Sequence, residues 1–417
     1  MIIRYFGDAS QQNARQMWYH KCMKEVKISA SLLDRGITDL IPRDELEKQL
    51  KSGKKLRLKF GVDVTSPDLH IGHAVVLRKL REFQDLGHII VLVVGDYTTK
   101  IGDPSGKSKT RPMLDDKEIA ANVKTYLDQV GIILDVKKVE IRYNSEWLGK
   151  LDFSDLIKLA SNISVAQLIE RDDFSKRLAA GSEIALHEFM YPLMVAYDSV
   201  ALEADVEFGG TDQLFNLLAG RNLQKKLGQK PQCVVTVPLL VGLDGVHKMS
   251  KSLGNYVALT DAPADMFGKV MSVSDNLIGP YFELCTNVPQ EEIDAVVGNI
   301  AQGANPRDTK ASLAREIVRI YHGEEAAEAA EQAFNDQFRD KKQPTDIPLH
   351  TAKKGTDFAD VLIEANLVTS KSEIRRLVMQ AGIKHNNQVV TPEFDLTLKD
   401  GDIIQVGKRR FIKLRVR

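Results

Sequence analysis

The eight residues His88 to Gly95 (HIIVLVVG) constrain the fold most, because an uncharged, branched run of this length suits a strand buried on both faces. Such strands belong to parallel sheets covered by helices on both sides. Upstream, Leu56 to Val62 (LRLKFGV) alternates basic and apolar residues as a strand does. Between the two, a helical pattern runs from about Ile71 to Leu86, with Gly87 as its C-terminal stop. Strand, helix and strand make a βαβ unit, whose crossover is right-handed and whose ligands sit beyond the carboxyl ends of the strands. Gln232 to Val241 (QCVVTVPLLV) reads as another buried strand. The expectation is a doubly wound α/β domain over residues 1–249.

Beyond Asn255 the strand signal fades, and Asp261 to Gln337 is dominated by helical periods, including an alanine run at Glu324 to Ala333. This predicts an α-helical domain over 250–340. A Lys/Pro/Thr-rich stretch follows from Asp340 to Gly355 (DKKQPTDIPLHTAKKG) and reads as a linker, with 341–356 as its bounds. The remaining residues, 357–417, read as a small α+β module. Ser370 and Glu373 form an S-x-x-E capping box that starts a helix ending at Gly382. Strands are expected around an Asn386-Asn387 turn and a Lys399–Asp402 turn.

Composition excludes several classes. With 417 residues, 43% hydrophobic and 27% charged, the chain has the make-up of a globular protein of two or three domains. Its longest uncharged apolar stretch, Pro231 to Leu243, is too short to span a bilayer, so no membrane association is expected. The N-terminus lacks the pattern of a signal peptide, and Cys22, Cys233 and Cys285 are too far apart for a zinc knuckle. A reducing, cytoplasmic setting without a protein-held metal follows as the expectation.

Two stretches carry chemistry. The first is Pro67-Asp68-Leu69-His70-Ile71-Gly72-His73, directly after the first strand. Its histidines stand three apart at a helix start, hence on one face beside unpaired N–H groups and a partial positive charge suited to phosphate. Gly72 lets a flat ring or phosphate approach the backbone. Read alone, the pair fits either a nucleotide site or two surface histidines near a turn. The second stretch is Gly245-Val246-His247-Lys248-Met249-Ser250-Lys251-Ser252-Leu253-Gly254-Asn255. Alternating Lys and Ser closed by glycine fits a mobile loop with two ammonium groups reaching a triphosphate, or an ordinary basic loop.

Together these stretches resemble the HIGH and KMSKS signatures of class I aminoacyl-tRNA synthetases. Over nearly its full length the chain is similar to the bacterial tyrosyl-tRNA synthetases of the longer branch, which end in a small S4 RNA-binding domain. Supporting segments are Gly61-Val62-Asp63, Ile101 to Lys107, Tyr191 to Asp198, and Gly209-Gly210-Thr211-Asp212-Gln213. The resemblance implies a Rossmann-like catalytic domain and the reaction of ATP, L-tyrosine and tRNA(Tyr) to give tyrosyl-tRNA, AMP and pyrophosphate. It implies that His70, His73, Lys248, Lys251, Lys107 and Arg111 are catalytic. ATP would be held by Gly61, Asp63, His70, Gly72, His73, Gly210, Asp212, Lys248, Met249 and Lys251, with Mg2+ escorting it as part of the substrate. Tyrosine would be held by Lys59, Asp103, Tyr191, Val195, Asp198 and Gln213, with Asp198 at the phenol and Asp103, Tyr191 and Gln213 at the α-ammonium end. The family also implies a homodimer built by the segment inserted around Asp152 to Gly181.

Helical spacing supports one part of this independently, since Tyr191, Val195 and Asp198 fall at i, i+4 and i+7 on one face. The chain departs from the family where a glutamine usually stands, carrying Val195 instead, and Val64 replaces a usual proline. Lys59 stands where one branch has a phenol-contacting tyrosine and another branch has lysine. The missing amide predicts weakened tyrosine binding or a related amino acid as substrate.

In the C-terminal module, Lys408 to Arg417 (KRRFIKLRVR) holds six basic residues and no acids. With Arg375 and Arg376 on the capped helix, Lys408, Arg409 and Arg410 are expected to meet an RNA backbone. The net charge of zero hides this, because 357–417 holds 11 basic and 8 acidic residues against 46 and 49 elsewhere. Two rival readings remain at this point: a paralogue activating a tyrosine-like amino acid, and a non-catalytic RNA-binding protein on a synthetase fold.

Overall fold

The computed structural model describes residues 30–64, 68–103, 116–338, 347–353, 355–365, 367–386, 388–391, 398–407 and 410–417. Lys107, Arg111, Lys408 and Arg409, Pro67, Asn387 and the first part of the expected linker lie outside them. The chain divides into two compact units, Met1–Phe334 and Asn335–Arg417.

In the first unit a six-stranded sheet is ordered β1-β6-β5-β2-β3-β4. Its members are β1 (Asp39–Ile41), β2 (Arg57–Val62), β3 (Ile89–Val94), β4 (Val139–Tyr143), β5 (Val206–Gly210) and β6 (Cys233–Val237). All neighbours are parallel except β1, which runs antiparallel to β6 through pairs such as Leu40 and Val235. The chain builds outward from β2 through β3 to β4, then returns to the other side of β2 with β5 and β6. That reversal between β2 and β5 opens a crevice at their carboxyl ends, which is where a doubly wound sheet binds ligands. The expected Rossmann-like, doubly wound α/β architecture is therefore present.

Burial explains which strands the sequence announces. All residues of β3 after Ile89, and all of β6, are buried, so both need uninterrupted apolar runs. β6 is shorter than expected and ends at Val237, where Pro238 cannot donate to a ladder. Helix α1 (Ile71–Asp85) stops one residue early, with Leu86 as its cap and Gly87 at a positive φ of 87°. Helices α2 (Leu186–Leu202) and α3 (Leu214–Lys226) carry the chain around β5. After the loop that follows β6, five helices run from Pro263 to Phe338, as the helical periodicity predicts. Their apolar faces (Phe267, Tyr281, Leu313, Ile317) join the core that also packs α1 and the sheet. Catalytic and helical segments thus share one core instead of parting near residue 250.

In the second unit a five-stranded sheet is ordered β7-β11-β10-β8-β9, and Ile383, Ile404, Val406, Ile412 and Leu414 lie in its core. Its strands are β7 (Leu349–Ala352), β8 (Ile383–His385), β9 (Gln388–Val389), β10 (Ile403–Val406) and β11 (Arg410–Val416). β7 corrects the linker reading: Leu349 to Ala352 pair in parallel with Lys413 to Val416, so the later part of that stretch is integral to this unit. Helix α4 (Lys371–Met379) starts as expected, with Ser370 Oγ accepting from Glu373 N at 3.2 Å. Glu373 returns to Thr369 N and Oγ1 at 2.8 and 2.9 Å, one residue before its expected partner. The helix ends at Met379, and Ala381, not Gly382, takes the positive φ. Among the described residues no helix is long and apolar enough to cross a membrane.

Candidate active site

The crevice floor is set where β2 ends. Asp63 accepts hydrogen bonds from Thr98 Oγ1 and from the Tyr191 hydroxyl, each at 2.8 Å. Gly95 lets these groups converge, because a Cβ there would lie 2.3 Å from both Asp63 Oδ1 and Thr98 Oγ1. Gly61, at the end of the same strand, is open to solvent with nothing near its missing Cβ.

On one side of the floor stands the N-terminus of α1. His70 is its N-cap residue, and its backbone N–H donates to His73 Nδ1 at 3.3 Å. The two rings lie 3.8 Å apart between centroids. A Cβ on Gly72 would come within 2.9 Å of the His70 ring, so glycine is needed for the pair to stack. Burial, then His73, then Lys251 push the His70 imidazole down to about 2. His73 opens toward solvent, and its imidazole is also lowered, by desolvation and then by Lys251 and Lys248. Both rings are therefore neutral donors near neutral pH, able to offer N–H groups without carrying charge. His70 Nδ1 is buried and has no hydrogen-bond partner among the described residues.

The lysine loop closes over this edge. Its base is tied by Met249 N to Leu240 O at 2.8 Å and Gly242 N to His247 O at 2.8 Å. Asn255 staples its two arms, accepting from Ser250 N at 2.8 Å and donating to Asp244 Oδ2 at 3.0 Å. Past the loop, the chain pairs with the start of α1 through Ile71 N to Val257 O and Leu259 N to Leu69 O, both 3.0 Å. Lys248 Nζ lies 2.9 Å from Asp212 Oδ2, and Lys251 Nζ lies 2.7 Å from Asp68 Oδ2. Met249 is buried beneath the loop, while Gly210 sits where a Cβ would fall 2.8 Å from Asp212.

The amino-acid pocket expected from helical spacing lies on α2. Tyr191 and Asp198 are buried, with partly exposed Val195 between them on the same face. Burial raises the Tyr191 hydroxyl well above its ordinary range, with Asp63 and Asp103 adding to the shift, so it stays protonated as the donor to Asp63. Asp198 accepts from Trp147 Nε1 at 2.8 Å and from Asn144 Nδ2 at 3.4 Å. Burial raises its carboxyl to about 7, against the opposing pull of Lys59, Trp147 and Asn144. Lys59 is fully buried beneath this helix, donating to Val195 O and Ser199 Oγ, each at 2.9 Å, and pairing with Glu207 Oε1 at 2.7 Å. Its charge is felt by Asp198, yet its ammonium is spent on that network. At the other end of the pocket, Asp103 accepts from Gln213 Nε2 at 2.8 Å and from Arg171 Nη2 at 3.0 Å.

Most residues singled out in the catalytic unit thus share one crevice, with Lys59 in its support. The site also uses Trp147, Asn144 and Arg171, which the sequence reading does not single out, and gives roles to Asp68 and Asn255, which it quotes only as members of the two motifs. The signal for Trp147 and Asn144 was available, because Asn144-Ser145-Glu146-Trp147 directly follows the carboxyl end of β4. In the second unit, Arg375 and Arg376 are exposed on α4, and Arg410, Lys413 and Arg415 are exposed along β11 between buried Ile412 and Leu414. Arg410 also donates to Leu367 O.

Comparison with known proteins matches residues 51–339 to the profile of the family described as tRNA synthetases class I (W and Y). The chain is 47% identical over 404 residues to the tyrosine--tRNA ligase of Moorella thermoacetica, covering 95% of this chain and 98% of that protein. It is 49% identical over 385 residues to the tyrosine--tRNA ligase of Thermotoga maritima, covering 92% and 96%. Among solved structures, a C-terminally truncated mitochondrial tyrosyl-tRNA synthetase from Aspergillus nidulans superposes with a TM-score of 0.61 at 22% identity. It covers 79% of this chain and 100% of that one, a likeness that speaks for the fold alone.

Proposed function

The chain belongs to the class I tRNA synthetases of the tryptophan and tyrosine group, and from that membership we propose that it activates L-tyrosine with ATP and transfers it to the 3' end of tRNA(Tyr). The observation that carries this reading is the meeting of two lysines and two neutral, stacked imidazoles at one edge of the crevice, with a buried acceptor, Asp198, on the pocket helix.

In the first step a tyrosine carboxylate oxygen attacks the α-phosphorus of ATP, and the bond to the β-phosphate bridging oxygen breaks. The attacking group is already ionised, so no general base is required. Charge develops on phosphate oxygens, which makes positioning and donor groups the source of rate. His70 and His73 donate to those oxygens, while Lys248 and Lys251 leave Asp212 and Asp68 for the departing pyrophosphate. Lys107 and Arg111 would add positive charge for the same phosphates. Mg2+ would arrive with ATP as part of the substrate and keep several waters. Gly61, Gly72, Gly210 and Met249 line the nucleotide side, with Asp63 at the strand end and Asp212 at the ribose. In the second step the terminal ribose hydroxyl of the tRNA attacks the carbonyl carbon, and AMP leaves.

Asp198 accepts the substrate phenol, held for that task by Trp147 and Asn144. Val195 lines the wall between, and Asp103, Tyr191 and Gln213 face the ammonium end. The S4-like module presents Arg375, Arg376, Lys408, Arg409 and Arg410 to the tRNA by backbone and shape. The inserted helices leave Phe153, Ile157 and Val165 exposed at 76%, 57% and 63%, which supports a homodimer formed through this segment. The reaction belongs in the cytoplasm, where charged tRNA is consumed.

The test is amino-acid-dependent exchange of labelled pyrophosphate into ATP, run across the standard amino acids and close tyrosine relatives. L-Tyrosine should support the fastest exchange, and charging of tRNA(Tyr) should follow. Absence of exchange with every amino acid overturns the reading.

A further inference from the structure

Arg171 enters the crevice from the inserted segment, just before the helix Asp172–Ala179, and is 5% exposed. All three of its guanidinium nitrogens are engaged. Nη2 donates to Asp103 Oδ1 at 3.0 Å, Nη1 to Asn216 Oδ1 at 3.2 Å, and Nε pairs with Asp173 Oδ1 at 2.7 Å. Its carbon lies 5.2 Å from the centre of the Phe174 ring. The contacts close into a cycle, because Asn216 Nδ2 donates to Gln213 Oε1 at 2.8 Å and Gln213 Nε2 donates to Asp103 Oδ2 at 2.8 Å.

The cycle has a direction, and Arg171 sets it. A guanidinium has donors only, so Asn216 must turn its carbonyl oxygen toward it. The amide nitrogen of Asn216 then faces Gln213, which leaves the Gln213 nitrogen for Asp103. Each member polarises the next, and Asn216 is 1% exposed, so no water competes at that corner. We propose that Arg171 is a positioning residue of the amino-acid site, fixing the Asp103 carboxylate and the Gln213 amide so that they receive the substrate ammonium. The inference rests on the reading of Asp103 and Gln213 as the ammonium end of the pocket. Charge fits as well, since Arg171 with Asp103 and Asp173 sums to one negative charge, the complement of one ammonium.

Positioning and simple electrostatics give opposite signs here. Removing Arg171 makes the corner more negative, which by Coulomb attraction alone strengthens binding of an amine. Positioning demands the reverse. In Arg171→Met the KM for L-tyrosine in pyrophosphate exchange should rise about tenfold or more, the scale of a lost hydrogen bond to a charged group, with KM for ATP unchanged. The inhibition constant of tyramine, which keeps the ammonium, should rise with it. That of 3-(4-hydroxyphenyl)propionate, which lacks the ammonium, should not move. Arg171→Lys should fail to restore either value, because one ammonium cannot span Asp103, Asn216 and Asp173 in the fixed fork of a guanidinium.

Asn216→Leu opens the same cycle without altering charge and should show the same split, so it serves if Arg171→Met does not fold. Tighter tyramine binding, an equal weakening of both inhibitors, or full rescue by lysine overturns the proposal. If wild-type protein shows no tyrosine-dependent exchange, the functional reading fails first, and that outcome is separate.

Discussion

Trp147 donates its indole N–H to Asp198 Oδ1 across 2.8 Å, so the buried carboxylate at the pocket end faces its ligand space with one oxygen already directed. The same carboxyl is held at about 7, mainly by burial, far above the ordinary aspartate value. Only its ionised form is a full acceptor for a phenol. Exchange kcat/KM for tyrosine should therefore fall as pH drops through about 7, by roughly tenfold per unit below it. Trp147→Phe removes a donor that favours the ionised form and should move the midpoint upward. A profile flat from pH 6 to 8 in the wild type argues against Asp198 as the acceptor. Stability runs the opposite way. With its folded value raised, Asp198 imposes no penalty below about pH 4, and the penalty grows to completion above about pH 7. Asp198→Asn should thus raise the melting temperature more at pH 8 than at pH 5.

Val195 supplies no side-chain donor or acceptor on a pocket face that otherwise carries Tyr191 and Asp198. Changing Val195 to Gln should lower KM for tyrosine, by about tenfold if the new amide reaches a charged partner. An unchanged KM means that the position does not govern tyrosine affinity. If a related amino acid is instead the better substrate of the wild type, the exchange screen will rank it above tyrosine and the variant will reverse that order.

The loop lysines are docked on carboxylates, Lys251 on Asp68 and Lys248 on Asp212. ATP must displace these pairs. Asp68 has no other assigned task, and its side chain is 48% exposed, so the pair is worth no more than about 1 kcal/mol. Asp68→Asn should lower KM for ATP by up to about fivefold while leaving KM for tyrosine alone. A rise in KM for ATP assigns Asp68 to nucleotide binding instead.

Strand β7 tells where a truncation should fall. Cutting at Asp357 leaves Leu349 to Ala352 without their partner strand, whereas ending the chain at Phe338 keeps the helix Glu324–Phe338 intact and removes the whole five-stranded sheet. The protein ending at Phe338 should keep pyrophosphate exchange and lose most tRNA charging. Full-rate charging by it removes the RNA-binding role of the module.

Legibility followed burial. β3 was readable because both its faces are covered, and the α2 pocket face because helical spacing is visible wherever it occurs. β1 and β7 were not, being short and only partly buried, with no alternation to mark them. β4 is legible, since Val139-Glu140-Ile141-Arg142-Tyr143 alternates apolar and charged residues, the charged ones pairing with Arg57 and Glu146. Reading it as a strand places Asn144 and Trp147 at the carboxyl end of the sheet. The phosphate-side residues could be found because histidine and lysine are rare in so regular a spacing. Arg171, Asn216 and Asp68 work through partners distant in sequence, and no local pattern encodes a closed cycle of hydrogen bonds.

The pairing of Ile71 with Val257 and of Met249 with Leu240 has a mechanical meaning. The loop is pinned at Val257 to the start of the helix that carries His73, and at Met249, between the two lysines, to Leu240 beyond β6, so its lysines travel on a tether of set length. Reach is then fixed by how many residues lie between the anchors, more than by which residues they are. A change of side chain at exposed Val246 leaves that arc intact, while one residue added or removed displaces both ammonium groups from the phosphates together.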